Sequence, residues 1–259
     1  MTDPDTPLVL THFKDGILTL TLNRPRQHNC LNQPLLDELL ATVKVVRHDV
    51  RAVILKGAGK SFSTGGDLKA FLAHAETPET LEAFSSHLVG TLNEVILALL
   101  DLPVPVISAV HGPVTGGSLG FVLASDLSVM APTAFAQPYY GRVGFGPDGG
   151  WTAMTPDRIG PDAAAGILAV NRRVDAAAAA RMGLITRVSE HIEATVGRWC
   201  DMILEQERES LAANKALLWP TARKEALAAK LEAERQQFVA LVGRPIVKER
   251  LEAFLNAIS

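Results

Sequence analysis

The amino-acid sequence predicts an α/β fold built from strand–helix–strand units, and two patterns support this prediction. Residues 17–22 alternate in the strand period and, with residues 9–13, flank the turn Lys14-Asp15-Gly16, which indicates a β-hairpin. Three apolar runs have the length and composition of buried strands: 52–56, 104–110 and 127–130. The chain therefore opens with β structure and continues as alternating strands and helices.

Helices are predicted between and after these strands. Leucine and valine recur at helical spacing over 33–47, with Pro34 in the first turn, and residues 79–100 form a long amphipathic helix. A short buried helix is expected over 119–124. From Pro161 onward the pattern is almost wholly helical, and the predicted helices there are 176–180, between the cap residues Asp175 and Gly183, then 193–207, 211–218, 224–241 and 247–257.

Composition and charge exclude several classes of protein. The chain has 259 residues, 47% of them hydrophobic, and a formal net charge of −3, so we expect neither nucleic acid nor a membrane surface as a partner. Two cysteines, Cys30 and Cys200, give no disulfide framework, which favours a cytoplasmic location. The acidic first five residues do not resemble a signal peptide. The most apolar stretch, 95–110, is shorter than the roughly 20 residues that a membrane span needs.

No cofactor or metal motif is complete. Gly57-Ala58-Gly59-Lys60-Ser61 follows a strand as a phosphate-binding loop does, but Ile54 stands where that motif requires its first glycine. No G-x-G-x-x-G element opens a helix after a strand, and the seven histidines show no metal-ligand spacing. We therefore expect no permanently bound cofactor and no metal site.

Two glycine-rich turns form the candidate site. Residues 61–69 and 111–118 each follow a predicted strand and open a helix. Free amides at the start of a helix carry partial positive charge, so two such turns facing one carbonyl group would hold a developing oxyanion. Either turn alone is explained by tight-turn geometry. The pair, in this order, indicates a functional site.

The sequence resembles the crotonase, or enoyl-CoA hydratase/isomerase, superfamily from Val9 to about Phe254. The motifs that carry the resemblance are Leu22-Asn23-Arg24-Pro25, Asn29-Cys30-Leu31-Asn32, the turn 62–68, the segment 105–118, Ala124-Ser125-Asp126 and Gly183-Leu184-Ile185. It implies a crotonase-like spiral of repeated β-β-α units, residues 1–195, with a helical C-terminal trimerisation region, residues 196–259. It also implies an acyl-CoA substrate of fatty acid metabolism, with coenzyme A as part of the substrate, and a homotrimer or a dimer of trimers.

The resemblance also assigns site residues. The two oxyanion amides map to Gly66 and Gly117. Contacts to CoA and substrate are expected on the matching segments, at Arg24, Arg26, Asn29, Cys30, Leu31, Thr64, Gly65, Asp67, Leu68, Lys69, Tyr139 and Tyr140. The loop 74–82 is expected to cover the acyl pocket. A contact from a neighbouring subunit to the CoA head group would use Phe238 or Lys248.

Side chains around the thioester decide the reaction in this superfamily. The two glutamates that position water in its hydratases correspond here to Gly120 and Tyr139, so hydration is disfavoured. Asp148 stands where the Δ3,Δ2-enoyl-CoA isomerases and the ring-1,2-epoxyphenylacetyl-CoA isomerases carry their proton shuttle. We therefore expect Asp148 to move a proton between two carbons of an enolate, with its pKa raised by burial beside Phe145, Tyr139, Tyr140 or Trp151.

Other interpretations stay open. Asp148 could cap a helix that begins near Gly149, and the neighbouring aromatic residues could line an aromatic acyl pocket, as in a ring isomerase. An aryl-CoA dehalogenase would need a histidine where Leu97 stands. A non-enzymatic relative that binds CoA or RNA without turnover is a further alternative. An RNA-binding relative would need a lysine-rich helix in place of residues 33–48, which disfavours nucleic acid, while a CoA-binding relative stays open.

Overall fold

A six-stranded sheet forms the centre of the computed structural model, which describes residues 6–258. The strands are β1 (Val9–Lys14), β2 (Ile17–Leu22), β3 (Ala52–Gly57), β4 (Val106–Val110), β5 (Val114–Thr115), β6 (Leu127–Met130), β7 (Phe135–Gln137), β8 (Val174–Asp175) and β9 (Arg187–Val188). The large sheet has the order β1-β2-β3-β4-β6-β9, and only its β1–β2 pair is antiparallel. A second sheet has the order β5-β7-β8. The predicted α/β fold is confirmed.

Twelve helices accompany these sheets in the described residues. They are α1 (Gln33–Lys44), α2 (Leu68–Ala73), α3 (Pro78–Asp101), α4 (Leu119–Leu123), α5 (Tyr140–Val143), α6 (Thr155–Ile159), α7 (Pro161–Ala169), α8 (Ala176–Met182), α9 (Ile192–Leu204), α10 (Arg208–Leu218), α11 (Thr221–Val242) and α12 (Pro245–Ile258). Two 3-10 turns cover Pro25–Gln27 and Gly116–Ser118. The first hairpin turns at Asp15 and Gly16, both with positive φ, as the Asp-Gly pair predicts.

Several predicted boundaries differ from the structure by two or three residues, including the end of 193–207 and the starts of 211–218 and 224–241, and two of the differences have a local reason. α1 ends at Lys44 rather than 47, because the Val50 amide donates to the Arg47 carbonyl and closes a turn in which Arg47 and Asp49 form an ion pair. β4 begins at Val106 rather than 104. Pro105 has no N–H to donate to a strand, although its carbonyl accepts from the Val53 amide at 2.9 Å.

The sheet has hydrophobic residues on both faces. On one face, Val53 and Leu55 join the large core that includes α1 and α3. On the other face, Ala52 and Ile107 pack with Val196 of α9 in a smaller cluster. This two-sided burial explains why β3 and β4 read as continuous apolar runs.

α3 lies in the large core. By length and composition it is the one helix of residues 6–258 that could cross a membrane, yet 56% of its most apolar window is buried inside the fold. Its start carries a reciprocal capping box between Thr77 and Thr80. Burial and capping identify α3 as the core helix of a globular domain.

The C-terminal helices share the core of the preceding residues. α11 packs along α3, where the Asn93 side chain donates to the Leu231 carbonyl at 3.1 Å. Leu227, Leu231 and Phe238 belong to the same hydrophobic cluster as the sheet. α11 therefore packs into the same core as the residues before it, while the division of the chain at residue 196 and the role of the C-terminal helices in trimerisation stay predictions. Phe238 is only 2% exposed, so the expectation that Phe238 reaches the CoA head group bound to a neighbouring subunit is wrong.

Candidate active site

The first glycine-rich turn connects β3 to α2 and presents the Gly66 amide. The Leu31 amide donates to the Gly65 carbonyl at 2.7 Å, and the Asp67 amide donates to the Leu31 carbonyl at 2.9 Å. These two bonds hold the residues on either side of Gly66, so its own N–H points away from residue 31. Within residues 6–258 that N–H has no protein acceptor, and Gly66 lines the main cavity.

The second turn, at the end of β5, presents the Gly117 amide. Ser63 connects the two turns: its amide donates to the Pro113 carbonyl, and its carbonyl accepts from the Thr115 amide, both at 3.1 Å. A Cβ atom at Gly65 would lie 2.7 Å from the Thr115 carbonyl oxygen, so only glycine permits this close approach. The Gly117 amide also lacks an acceptor among the described residues, and Gly117 lines the same cavity.

Asp148 lies directly beside Gly117. A Cβ atom at Gly117 would lie 2.7 Å from the Asp148 Oδ1 atom and 3.0 Å from Oδ2. The Tyr140 hydroxyl donates to Oδ1 at 2.5 Å. Residues 149–153 form turns, and α6 begins only at Thr155, so the alternative that Asp148 caps a helix at Gly149 is wrong.

Asp148 is 8% exposed, and burial of its carboxyl group raises its pKa from 3.8 to about 7. The hydrogen bond from Tyr140 opposes the rise, whereas the negative charge of Glu234 adds to it. Burial, together with the nearby Asp148 carboxylate, raises the pKa of Tyr140 well above 10.0. Near neutral pH, Asp148 can therefore both take and return a proton, while Tyr140 stays protonated.

A cavity of about 500 Å³ brings most of the predicted residues together. Its lining includes Arg26, Cys30, Leu31, Thr64, Gly65, Gly66, Asp67, Leu68, Lys69, Gly117, Tyr139, Tyr140 and Asp148. The sequence did not indicate Phe71, nor Phe254 and Leu255 from α12, which also line it. The loop 74–82 does not contribute to the lining, and α3 begins at Pro78 within it. The expectation that this loop covers the cavity is wrong.

Two predicted binding residues have structural contacts instead. The guanidinium of Arg24 forms an ion pair with Asp67 at 3.0 Å and also donates to the Cys30 carbonyl at 2.6 Å. The buried amide of Asn29 accepts from the Arg24 amide and donates to three carbonyls, those of Ala58, Ser61 and Phe62. Neither Arg24 nor Asn29 lines the cavity; together they hold the first turn against the segment 24–31.

Two further side chains near the turns are chemically quiet. Burial, with a contribution from Asp67, raises the pKa of the Cys30 thiol to about 12, so it stays protonated although it lines the cavity. Trp151 is fully buried and lies outside the lining, and its ring N–H donates to the Gly116 carbonyl at 2.9 Å. Trp151 therefore supports the second turn and is not available for an aromatic acyl pocket.

Comparison with known proteins identifies the family. The family model described as enoyl-CoA hydratase/isomerase matches residues 12–258. The chain belongs to the enoyl-CoA hydratase/isomerase family. A probable enoyl-CoA hydratase from Rhodobacter capsulatus is 33% identical over 173 residues, which are 67% of this chain, and the chain spans 65% of that relative's length. A 1,2-epoxyphenylacetyl-CoA isomerase from Escherichia coli is 30% identical over 187 residues, 70% of this chain and 69% of the relative.

Solved structures give the same family and fold. A crystal structure of an enoyl-CoA hydratase from Bacillus halodurans superposes with a TM-score of 0.89 at 26% identity, over 95% of this chain and 99% of that one. The chain therefore has the crotonase fold. Within the enoyl-CoA hydratase/isomerase family, the names of similar proteins include both hydratases and isomerases, so the choice between reactions depends on the side chains at the site.

Proposed function

We propose that this member of the family is an enoyl-CoA isomerase that moves a double bond from the Δ3 to the Δ2 position of an acyl-CoA. One observation carries the proposal: the carboxyl group of Asp148 lies against Gly117 in the cavity that Gly66 also lines, and the amides of both glycines have no acceptor among the described residues. A base at that place is next to the carbon whose proton becomes acidic when the amides bind the thioester oxygen.

The cavity suits a long ligand with a charged end and an apolar end. Arg26 and Lys69 are exposed at its rim and offer cations for the CoA phosphates. Leu92, Phe145 and Phe238 line its interior and offer an apolar surface for the acyl group. In this arrangement the thioester lies between the ends, beside the two glycine turns.

The reaction needs one base and one oxyanion site. The Gly66 and Gly117 amides donate to the thioester oxygen, and Asp148 removes a proton from C2, so the C–H bonding pair enters the enolate. The protonated Asp148 then returns the proton to C4, and the double bond moves from C3–C4 to C2–C3. The Tyr140 hydroxyl occupies Oδ1 of Asp148, which leaves Oδ2 for the substrate proton.

The residues at the two hydratase positions, Gly120 and Tyr139, support an isomerase rather than a hydratase. A Cβ atom at Gly120 would lie 2.5 Å from the Ile96 Cδ1 atom and 2.8 Å from the Gly149 carbonyl oxygen. Position 120 therefore has no room for a glutamate, and Tyr139 stands at the second hydratase position. Addition of water to a 2-enoyl-CoA is disfavoured.

A second candidate is a ring-1,2-epoxyphenylacetyl-CoA-type isomerase. Phe71, Phe145 and Phe238 surround the inner end of the cavity, with ring centroids 4.8 to 5.8 Å apart, a lining that also suits an aromatic acyl group. Both candidates use Asp148 as the shuttle.

Assembly as a homotrimer or a dimer of trimers also remains a proposal, supported by exposed Met202, Leu217 and Leu218 on α9 and α10.

Turnover of a 3-enoyl-CoA and a 2-enoyl-CoA, measured side by side with wild type and Asp148→Asn, tests the isomerase proposal. The wild type should convert the 3-enoyl substrate and add little water to the 2-enoyl substrate, and the variant should lose at least about 1000-fold in kcat. Rapid hydration of the 2-enoyl substrate would contradict the proposal. Turnover of the ring epoxide alone would favour the second candidate.

A further inference from the structure

The buried carboxylate of Glu234 lies outside the catalytic cavity and is not used in the mechanism. It belongs to α11, where Leu227, Leu231, Glu234 and Phe238 occupy one buried face. Glu234 is 4% exposed, and such burial of a carboxylate is costly unless its oxygens accept hydrogen bonds. The hydrogen-bond donors around the Glu234 carboxylate therefore show which part of the chain it stabilises.

Glu234 accepts hydrogen bonds from the loop that follows Asp148. Its Oε2 atom accepts from the Gly150 amide at 2.8 Å. Its Oε1 atom accepts from the Thr152 amide and hydroxyl, both at 2.6 Å, and from the Ala153 amide at 2.9 Å. Four donors within four residues therefore point at one carboxylate from a helix about 80 residues later in the chain.

The chain on both sides of Asp148 also makes close contacts. Before Asp148 it packs against α11, and after Asp148 it packs against the second glycine-rich turn. A Cβ atom at Gly146 would lie 3.0 Å from the Phe238 Cα atom, so the chain just before Asp148 lies against the α11 backbone. A Cβ atom at Gly149 would lie 2.2 Å from the Gly117 carbonyl oxygen, so the chain just after Asp148 lies on the second turn. Asp148 is thus held between α11 and Gly117.

We propose that Glu234 is a positioning residue for the reaction, fixing the loop 149–153 so that the carboxyl group of Asp148 faces the substrate beside Gly117. The inference rests on the proposed role of Asp148 as the base. α11 in turn is held on α3 through Asn93 and through the Arg235 guanidinium, which donates to the Ser86 hydroxyl. The C-terminal region therefore contributes to catalysis within its own chain.

Glu234 also acts on the proton affinity of the base. Its negative charge raises the pKa of Asp148, and among the described residues Tyr140 is the other titratable side chain that acts on that pKa, in the opposite direction. A Glu234→Gln change should therefore lower the pH at which Asp148 ionises. A residue with a purely structural role would not produce this shift.

The test compares wild type, Glu234→Gln and the control Glu225→Gln for the pH dependence of 3-enoyl-CoA isomerisation. Glutamine cannot accept from all four donors, because its amide nitrogen replaces one acceptor oxygen. We expect kcat to fall about 10- to 100-fold with KM little changed, and the acidic midpoint of the profile to move to lower pH. Glu225 is exposed on the same helix, so Glu225→Gln removes the same charge away from the loop and should behave as wild type.

If Glu234→Gln keeps the wild-type kcat and the wild-type midpoint of the pH profile while Asp148→Asn is inactive, the positioning role of Glu234 is wrong and the proposed function still stands. Full activity of Asp148→Asn would instead overturn the proposed function itself. If Glu234→Gln does not fold, Thr152→Val decides, since it removes only one bond to Glu234. A two- to fivefold lower kcat, roughly the effect of a slightly displaced base, would support the role, and an unchanged kcat would overturn it.

Discussion

Replacing Asp148 with asparagine should remove a pH dependence of stability that burial of this carboxyl group creates. The folded pKa is about 7 and the ordinary value is 3.8. Because the folded pKa is raised, the stability that the neutral group contributes is fully present below pH 3.8 and is lost as pH rises through about 7. The unfolded chain ionises first, so rising pH favours unfolding.

The size of the effect follows from the shift. At about 1.4 kcal/mol per pKa unit, the shift is worth about 4 kcal/mol above pH 7, of which about 2 to 3 kcal/mol develops between about pH 5 and about pH 8. Asparagine keeps a carbonyl oxygen that can accept from the Tyr140 hydroxyl, so Asp148→Asn should gain that amount of stability relative to wild type over this range.

Urea denaturation at about pH 5 and about pH 8 measures the effect, with the exposed Glu249→Gln variant as the control for loss of one negative charge. The difference in unfolding free energy between Asp148→Asn and wild type should grow by about 2 to 3 kcal/mol toward the higher pH. If this difference is the same at both pH values, burial does not raise the pKa of Asp148, and the reasoning is refuted.

Two other substitutions test the geometry of the site. Gly117→Ala would place a methyl group 2.7 Å from Asp148 Oδ1 and 2.7 Å from Leu92 Cδ2, so kcat should fall by about 100-fold or more. The control Gly166→Ala, which has open space around it, should keep the wild-type kcat. Equal kcat values for the two variants would contradict the placement of the base. Asn29→Ala leaves three carbonyls and one backbone amide without their hydrogen-bond partner. The unfolding free energy of this variant, measured in urea, should be about 2 to 4 kcal/mol lower than that of wild type. A loss below about 0.5 kcal/mol would contradict the structural role of Asn29.

Local sequence patterns predicted the features that depend on neighbouring residues. Asp175 caps α8 by accepting from the Ala178 amide at 2.7 Å, and Gly183 ends the helix with φ of 81°, as their residue types indicate. The Lys14-Asp15-Gly16 turn is likewise predicted by the residue types at its own positions. In these cases the hydrogen bonds join residues a few positions apart, so the spacing in the sequence contains the information.

Contacts between distant residues could not be predicted in this way. The sequence predicts Arg24 as a contact for a CoA phosphate, but the fold brings Asp67, 43 positions later, beside Arg24 and the two form an ion pair. Nothing near Glu234 in the sequence shows that α11 meets the loop of Asp148, because the two segments are about 80 positions apart. The resemblance to the crotonase superfamily supplied the candidate base and the candidate oxyanion glycines, but not the residues that hold them in place.

The pH profile of kcat/KM for a 3-enoyl-CoA, measured for wild type and Asp148→Asn, tests the central claim most directly. If Asp148 is the base, the wild-type rate should rise with pH through a midpoint near its folded pKa of about 7, and the variant should show no isomerisation above background. A flat wild-type profile across that range, or a variant that keeps the wild-type rate, would contradict the claim.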